Sequence, residues 1–237
     1  MFRSLTDRDL QPEIMDRPDL PADRHQKALR GLARVNVLSR TAGNIWRPIR
    51  DLARRNGLRE LSLLDVASGG GDVACDLHRL AAADGIRLRV TGYDISPVAV
   101  EAAARRAAEV GADARFEIHD VFTSPPEPAF DVVTSSLFLH HLTEPQAVEV
   151  LSWMRQSCRR MLVVSDLLRT WLGYTTAKIV VKLVTRSEVV HYDGPQSVAG
   201  AFRMDEARRL AEAAGLTDAE LRKIWPFRFL LTWKVAS

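Results

Sequence analysis

The segment that most constrains the fold is Leu63–Ala74, LLDVASGGGDVA: a short apolar run, three successive glycines at Gly69–Gly71, then helix-forming residues from Asp72. Glycines at a strand-to-helix turn allow a left-handed backbone and let N–H groups face a ligand with no Cβ in the way. The same alternation continues downstream. LSLLDV (61–66), RLRVTGYD (87–94), ARFEIHD (114–120), FDVVTSSLF (130–138) and RMLVVSDLL (160–168) read as strands. Between them, residues 72–83, 96–110 and 143–158 read as helices, the second with Ser96 as N-cap and Pro97 in its first position. Strand–helix alternation predicts a parallel sheet covered on both faces, with right-handed crossovers. After a helix at 204–215, residues 216–224 and 227–236 read as two strands around a tight Trp225-Pro226 corner, which makes that pair antiparallel. The expectation is a doubly wound α/β fold with a mostly parallel seven-stranded sheet and an antiparallel C-terminal strand.

Outside this rhythm lie two appendages. Residues 1–57 read as a polar arm punctuated by Pro12, Pro18 and Pro21, followed by helices at 23–39 and 44–56, and are expected to form an N-terminal arm and helical lid. Residues 58–237 form the main domain, with 170–202 an insertion that is helical in part. The length of 237 residues suits such a plan. The net charge of +3 is too weak to argue for nucleic acid, and its distribution matters more. Residues 1–60 carry an excess of five basic side chains and the remainder a slight acidic excess. Two cysteines, Cys75 and Cys158, are too few for a disulfide framework. No stretch has the length and apolarity of a membrane span or the core of a signal peptide, so a cytoplasmic location without stable membrane insertion is expected.

Asp94 and Asp120 fall at the ends of the second and third strands, in line with the glycine loop. A carboxylate at the first place can accept both hydroxyls of a ribose, and one at the second can meet an adenine amino group. Each could also be a plain strand-end cap; three strand ends in register favour a nucleoside. Gly69-x-Gly71-x-x-Ala74 also fits a dinucleotide fingerprint, and Tyr174-x-x-x-Lys178 has the spacing of a reductase pair. Against an NAD(P)-dependent reductase stand Asp65, a negative charge inside the first strand, and the place of Tyr174 in the irregular insertion.

DVASGGGD (65–72), GYDIS (92–96), HDVF (119–122), FDVVTSSLFLHHL (130–142) and VVSDL (163–167) together resemble the successive motifs of class I S-adenosylmethionine-dependent methyltransferases, closest to the ubiquinone/menaquinone type. The resemblance implies the Rossmann-like methyltransferase fold, with S-adenosylmethionine as cofactor. It implies that Asp65, Ala67, Ser68, Gly69 and Gly71 hold the methionine part, Asp94 the ribose, Asp120 and Val121 the adenine, with Ile95 and Ser136 also on the cofactor. Where the family commonly has glycine this chain has Ala67, which is expected to adjust packing and keep binding.

Methyl transfer to oxygen needs an aligned acceptor and a base. His140 and His141 follow the fourth strand, where the methyl group is expected to point, and His191 lies in the VVHYDGPQS stretch of the insertion; each is a candidate base or a structural hydrogen-bonding residue. Neighbouring histidines are expected to point in different directions, so no metal site is expected. The segment after the fourth strand is not of the type used on DNA bases, and Pro125-Pro126 lies one loop too early. The apolar residues of the N-terminal helices and of the insertion are expected to cover the cofactor as a lid, with Arg34 and Arg40 as candidates to meet an anion. The expected activity is metal-independent, His-assisted methylation of a small aromatic or lipophilic acceptor, by preference a phenolic hydroxyl. C-methylation of a quinone-like ring, a reductase and a non-catalytic cofactor-binding module stay open, and a homodimer is compatible with all of them.

Overall fold

The computed structural model describes residues 5–17, 19–123 and 130–235; Pro18, Pro125-Pro126 and Ala236 lie outside them. The strands are β1 (Glu60–Val66), β2 (Arg87–Asp94), β3 (Ala114–Ile118), β4 (Phe130–Ser136), β5 (Cys158–Leu167), β6 (Glu220–Ile224) and β7 (Arg228–Lys234). They form one seven-stranded sheet in the order β3-β2-β1-β4-β5-β7-β6. All neighbours are parallel except around β7, which runs antiparallel to both β5 and β6. The expected doubly wound α/β sheet is therefore present, with the antiparallel C-terminal strand inserted between β5 and β6. Two strands are shorter than the apolar pattern suggested. β3 stops at Ile118, and β6 starts only at Glu220, after a turn in which Asp218 has positive φ.

The central strand β1 buries Leu61, Leu63, Leu64 and Val66, as a strand covered on both faces must. On one face, α2 (Thr41–Arg55) and α3 (Asp72–Ala83) pack Ile45, Trp46, Ile49 and Leu77 against Leu61, Leu63 and Val132. On the other, α5 (Glu144–Gln156) and α8 (Met204–Ala213) join Leu151, Met154, Leu210 and Phe229 in one cluster. Between them, α4 (Pro97–Val110) packs beside β2 and β3; Ser96 caps it as expected, with Pro97 leading the helix. Thr143 and Gln146 close a reciprocal capping box on α5.

The appendages divide differently from the expectation. Ile45 and Trp46 of α2 are core residues, so this helix braces the sheet. α1 (Ala22–Leu38) turns Leu29, Leu32 and Val35 toward a cavity over the sheet. The insertion is two helices, α6 (Trp171–Val184) and α7 (Glu188–Gly200). The Asp193-Gly194-Pro195 stretch lies inside α7. α6 gives Val180 and Val181 to the cavity, while Trp171, Leu172, Ile179 and Leu183 are exposed. No helix among the described residues is long and apolar enough to cross a membrane.

Candidate active site

A cavity of about 840 Å³ opens over the carboxyl ends of β1, β2 and β4, the point where the strand order reverses. Its floor is the glycine loop. Ala67, Gly69 and Gly71 all have positive φ, and Gly71 is the residue from which α3 starts. The N–H of Ser68 donates to the carbonyl of Tyr93 at 2.9 Å, and that of Gly69 to Asp94 Oδ2 at 2.8 Å. The other oxygen of Asp94 accepts the Ser96 N–H at 2.9 Å. Asp94 thus fastens the loop to β2 and keeps further acceptor capacity on each oxygen. Burial raises its pKa, opposed by these two N–H bonds. From α4, Arg106 Nε donates to the Gly70 carbonyl at 3.1 Å.

Most of the sequence-derived cofactor set meets here. Ala67, Ser68, Gly69, Asp94, Ile95, Asp120, Val121 and Ser136 all line the cavity. Ser68 Oγ is buried with no hydrogen-bond partner among the described residues, 2.8 Å from where a Cβ on Gly92 would lie and closed off from the open cavity. Gly71 and Asp65 stand behind the wall. A Cβ on Gly71 would come within 2.8 Å of the Ala103 Cβ and 2.9 Å of the Phe116 ring, so this glycine serves loop packing. Asp65 is 1% exposed and accepts the Thr134 hydroxyl at 3.0 Å. Burial first, then Asp72 and Asp94, push its pKa up to about 7.

One residue of this half escaped the sequence reading. Arg228, at the start of β7, is 2% exposed yet touches the cavity. Its Nη1 donates to Thr41 Oγ1 at 2.6 Å; Thr41 donates to Asn36 Oδ1 at 3.0 Å, and Asn36 Nδ2 to Asp72 Oδ2 at 3.0 Å. A guanidinium and a carboxylate therefore sit at opposite ends of one hydrogen-bonded relay on the cavity wall. Burial lowers the Arg228 pKa to about 10, Asp166 and Asp72 acting the other way. The arginines expected to meet an anion lie elsewhere: Arg34 reaches the Val184 carbonyl at the surface, and Arg40 is exposed ahead of α2. The available signal was a single basic residue at the head of an apolar strand, Phe227–Leu231.

The far corner is built by side chains. His140 and His141 close a 3-10 turn (Leu139–His141) after β4. His140 Nδ1 meets Asp166 Oδ1 of β5 at 2.6 Å, and His141 Nδ1 meets Asp16 Oδ2 at 2.8 Å. Both Nε2 atoms turn toward one carboxylate, Glu13, at 3.8 and 4.0 Å. The two rings lie 4.3 Å apart, which corrects the expectation of divergent histidines: a 3-10 turn packed under one strap leaves them the same side. That strap is the N-terminal arm. Asp193 of α7 accepts the N–H groups of Ile14 and Met15 at 2.9 and 3.0 Å, and Ser197 donates to Glu13 Oε1 at 2.6 Å. Burial, with Glu13 adding, raises Asp193 to about 6 despite the two N–H bonds. Arg8 donates to the His140 carbonyl and stacks on Phe202. Burial opposes the charge on His141, but Asp16 and Glu13 win and raise it to about 9. Asp166 is held low: burial pushes it up, and His140 with the Leu167 N–H outweighs that.

His191 is not part of this corner; its Nε2 bonds the Thr185 carbonyl at 2.8 Å and the ring does not line the cavity. Tyr174 and Lys178 also lie outside, with the ammonium over the Tyr174 ring at 4.5 Å. Glu13, Asp16 and Asp166 were missed by the sequence reading. An acid inside the apolar VVSDLL strand was a signal for Asp166, whereas nothing in a polar arm singles out Glu13.

Comparison with known proteins fits this geometry. Residues 63–161 match the family described as a methyltransferase domain. No curated protein matches. Among solved structures, magnesium protoporphyrin IX methyltransferase from Synechocystis PCC 6803 with bound S-adenosylhomocysteine is 19% identical, with a TM-score of 0.58, over 85% of this chain and 87% of its own. The S-adenosylmethionine-dependent methyltransferase SibL is 21% identical, TM-score 0.66, over 93% of this chain and 60% of its own. An O-methyltransferase family 2 protein from Planctomyces limnophilus DSM 3776, in complex with apigenin, is 18% identical, TM-score 0.61, over 93% and 63%. The chain thus spans less than two thirds of the latter two, and these likenesses establish the Rossmann-like methyltransferase fold.

Proposed function

We propose that the protein is an S-adenosylmethionine-dependent methyltransferase acting on a hydroxyl of a small aromatic or lipophilic acceptor. The observation that carries this reading is the single cavity whose one end is the glycine loop and whose other end is the histidine–carboxylate corner, with apolar helices between. Bound S-adenosylmethionine supplies the activated methyl group. The residues present suit it. Asp94 offers its free acceptor capacity to ribose hydroxyls, and Ile95 and Val121 give an apolar place for adenine. Arg228 and Asp72 match the carboxylate and the ammonium of an amino-acid moiety, a role that Arg34 and Arg40 cannot fill from the surface.

Leu29, Leu32 and Val35 of α1 with Val180 and Val181 of α6 exclude water and receive an apolar ring, the same requirement a quinone-like acceptor of the ubiquinone/menaquinone type would have. At the corner, ionised Asp166 accepts the Nδ1–H of His140, which leaves the Nε2 lone pair free to take a hydroxyl proton. The proton requirement favours oxygen over carbon as the methylated atom.

The test is turnover of S-adenosylmethionine against a panel of phenols and quinones, with wild type and His140→Ala. Methylation of a phenol is expected, at least tenfold slower in the variant, with unchanged S-adenosylhomocysteine affinity by calorimetry. Absence of any cofactor binding at millimolar ligand would sink the proposal, and equal rates in the two proteins would remove His140 as the base.

A further inference from the structure

We infer that Glu13, His140 and His141 form a binding site for a first-row divalent transition cation at the acceptor end of the cavity. One ligand atom from each lies within 4.8 Å of the others, and His140 Nε2 faces Glu13 Oε1 while His141 Nε2 faces Glu13 Oε2. Two imidazoles and one carboxylate, with positions left open to a further ligand, are a donor set that suits zinc and its neighbours. At bond lengths of about 2.1 Å and tetrahedral angles, ligand atoms stand about 3.4 Å apart. The 3.8 and 4.0 Å separations from Glu13 to the histidines close to that value by rotation of one glutamate side chain and small shifts of two rings.

The surroundings carry the inference beyond three donors that happen to be close. Each histidine is held at its other nitrogen by a carboxylate of its own, His140 by Asp166 and His141 by Asp16. A carboxylate on Nδ1 fixes the tautomer that leaves the Nε2 lone pair outward, and this is the usual outer support of a ligating histidine. Here it occurs twice, with both Nε2 atoms turned toward a third carboxylate that Ser197 holds in place. Charge points the same way. Buried Glu13 and Asp166 and the exposed Asp16 bring three carboxylates to the corner, where Arg8 donates to the His140 carbonyl and Arg17 lines the same cavity. A divalent cation relieves that excess. The ligands come from the arm and from the turn after β4, so a bound cation also ties the arm across the cavity. With it in place His140 serves as a ligand, and its lone pair is no longer a base.

The experiment uses the full chain, stripped with EDTA and titrated with zinc by calorimetry, with cobalt(II) as a second probe read by its visible absorption. Wild type is expected to bind one zinc per chain with micromolar or tighter affinity and to give a cobalt spectrum of low coordination number. Glu13→Gln, which keeps an oxygen acceptor for Ser197, and His141→Ala are each expected to weaken zinc at least tenfold, while His191→Ala leaves it unchanged. S-adenosylhomocysteine binding in the same samples reports that each variant is folded. No stoichiometric zinc binding in wild type, or zinc affinity as tight as wild type in both Glu13→Gln and His141→Ala, would overturn the inference. Loss of S-adenosylhomocysteine binding by wild type would break the methyltransferase reading and leave the zinc result standing.

Discussion

The two ends of the cavity are made in different ways. The glycine-loop end is made by the backbone and by near neighbours in the chain: Gly69 and Asp94, which bond each other, are 25 residues apart. The histidine corner is made by side chains from distant segments, with His141 and Asp16 separated by 125 residues and Ser197 and Glu13 by 184. The first depends on the core fold, since its shape is that of the turn between β1 and α3. The second depends on an arm held by a few polar contacts and can change without disturbing the sheet. A perturbation at the loop is therefore expected to cost stability, and one at the corner to cost chemistry.

The largest effect that would sharpen this contrast is expected from Gly71→Ala. The residue has φ of +70°, and its new Cβ would meet Ala103 and the Phe116 ring inside 3 Å. A left-handed conformation and overpacking together cost about 3 kcal/mol, read as a lower urea midpoint. A variant as stable as wild type would mean the loop is not tied to the core as described.

Next comes Asp65, inside the loop's supporting strand. Its carboxyl titrates at about 7 in the fold, against an ordinary value of 3.8 in the unfolded chain. The folded state therefore holds the proton more tightly. The associated stability is complete below the unfolded value and is lost as pH rises through 7. Relative to Asp65→Asn, the wild-type protein is expected to lose about 2 kcal/mol between pH 5 and pH 7. Parallel stability–pH curves for the two proteins would show that Asp65 is ionised throughout.

The same contrast explains what the sequence made legible. A glycine run, Asp94 and Asp120 sit at regular places in a repeating strand–helix pattern, so local periodicity alone puts them at one sheet edge. The corner has no such pattern. Glu13 and Asp16 lie in a polar arm between prolines, and only tertiary packing against α7 brings them to His140 and His141. Arg34 and Arg40, expected to meet an anion, miss the cavity for a related reason. The first 60 residues are basic in sum, but the arm turns Glu13 and Asp16 to the cavity and leaves Arg24 outside in an exposed ion pair. Net charge does not tell which side chains face inward. His191 was plausible by its place in the insertion, and a helical backbone carries its ring to the Thr185 carbonyl instead.

Arg228 belongs to the cofactor end yet was hidden like the corner residues, so it tests where the boundary runs. A buried guanidinium with one hydrogen bond keeps donors available for an anion. Arg228→Gln is expected to weaken S-adenosylhomocysteine at least tenfold, about 1.4 kcal/mol, with little loss of unliganded stability. Calorimetry and a thermal melt on the same sample check both halves. Unchanged affinity would assign Arg228 to the core and leave the ligand carboxylate to another donor.

The smallest effect is expected at Ala67 and has the opposite sign from the others. Its φ of +54° puts a Cβ-bearing residue where glycine is favoured, a strain of about 1–2 kcal/mol. Ala67→Gly removes that strain and adds freedom to the unfolded chain, for a net gain of about 0.5 to 1 kcal/mol. A higher urea midpoint at unchanged slope is the expected result; a lower one would mean the alanine methyl packs against something worth more than the strain. The same variant also asks what the strain is for. Ala67 borders the cavity, and strained backbone at such a place persists where it pre-shapes a binding surface. If Ala67→Gly is more stable but binds S-adenosylhomocysteine less tightly, the loop trades stability for a fixed shape, which is how a site built from backbone, unlike the histidine corner, gains its precision.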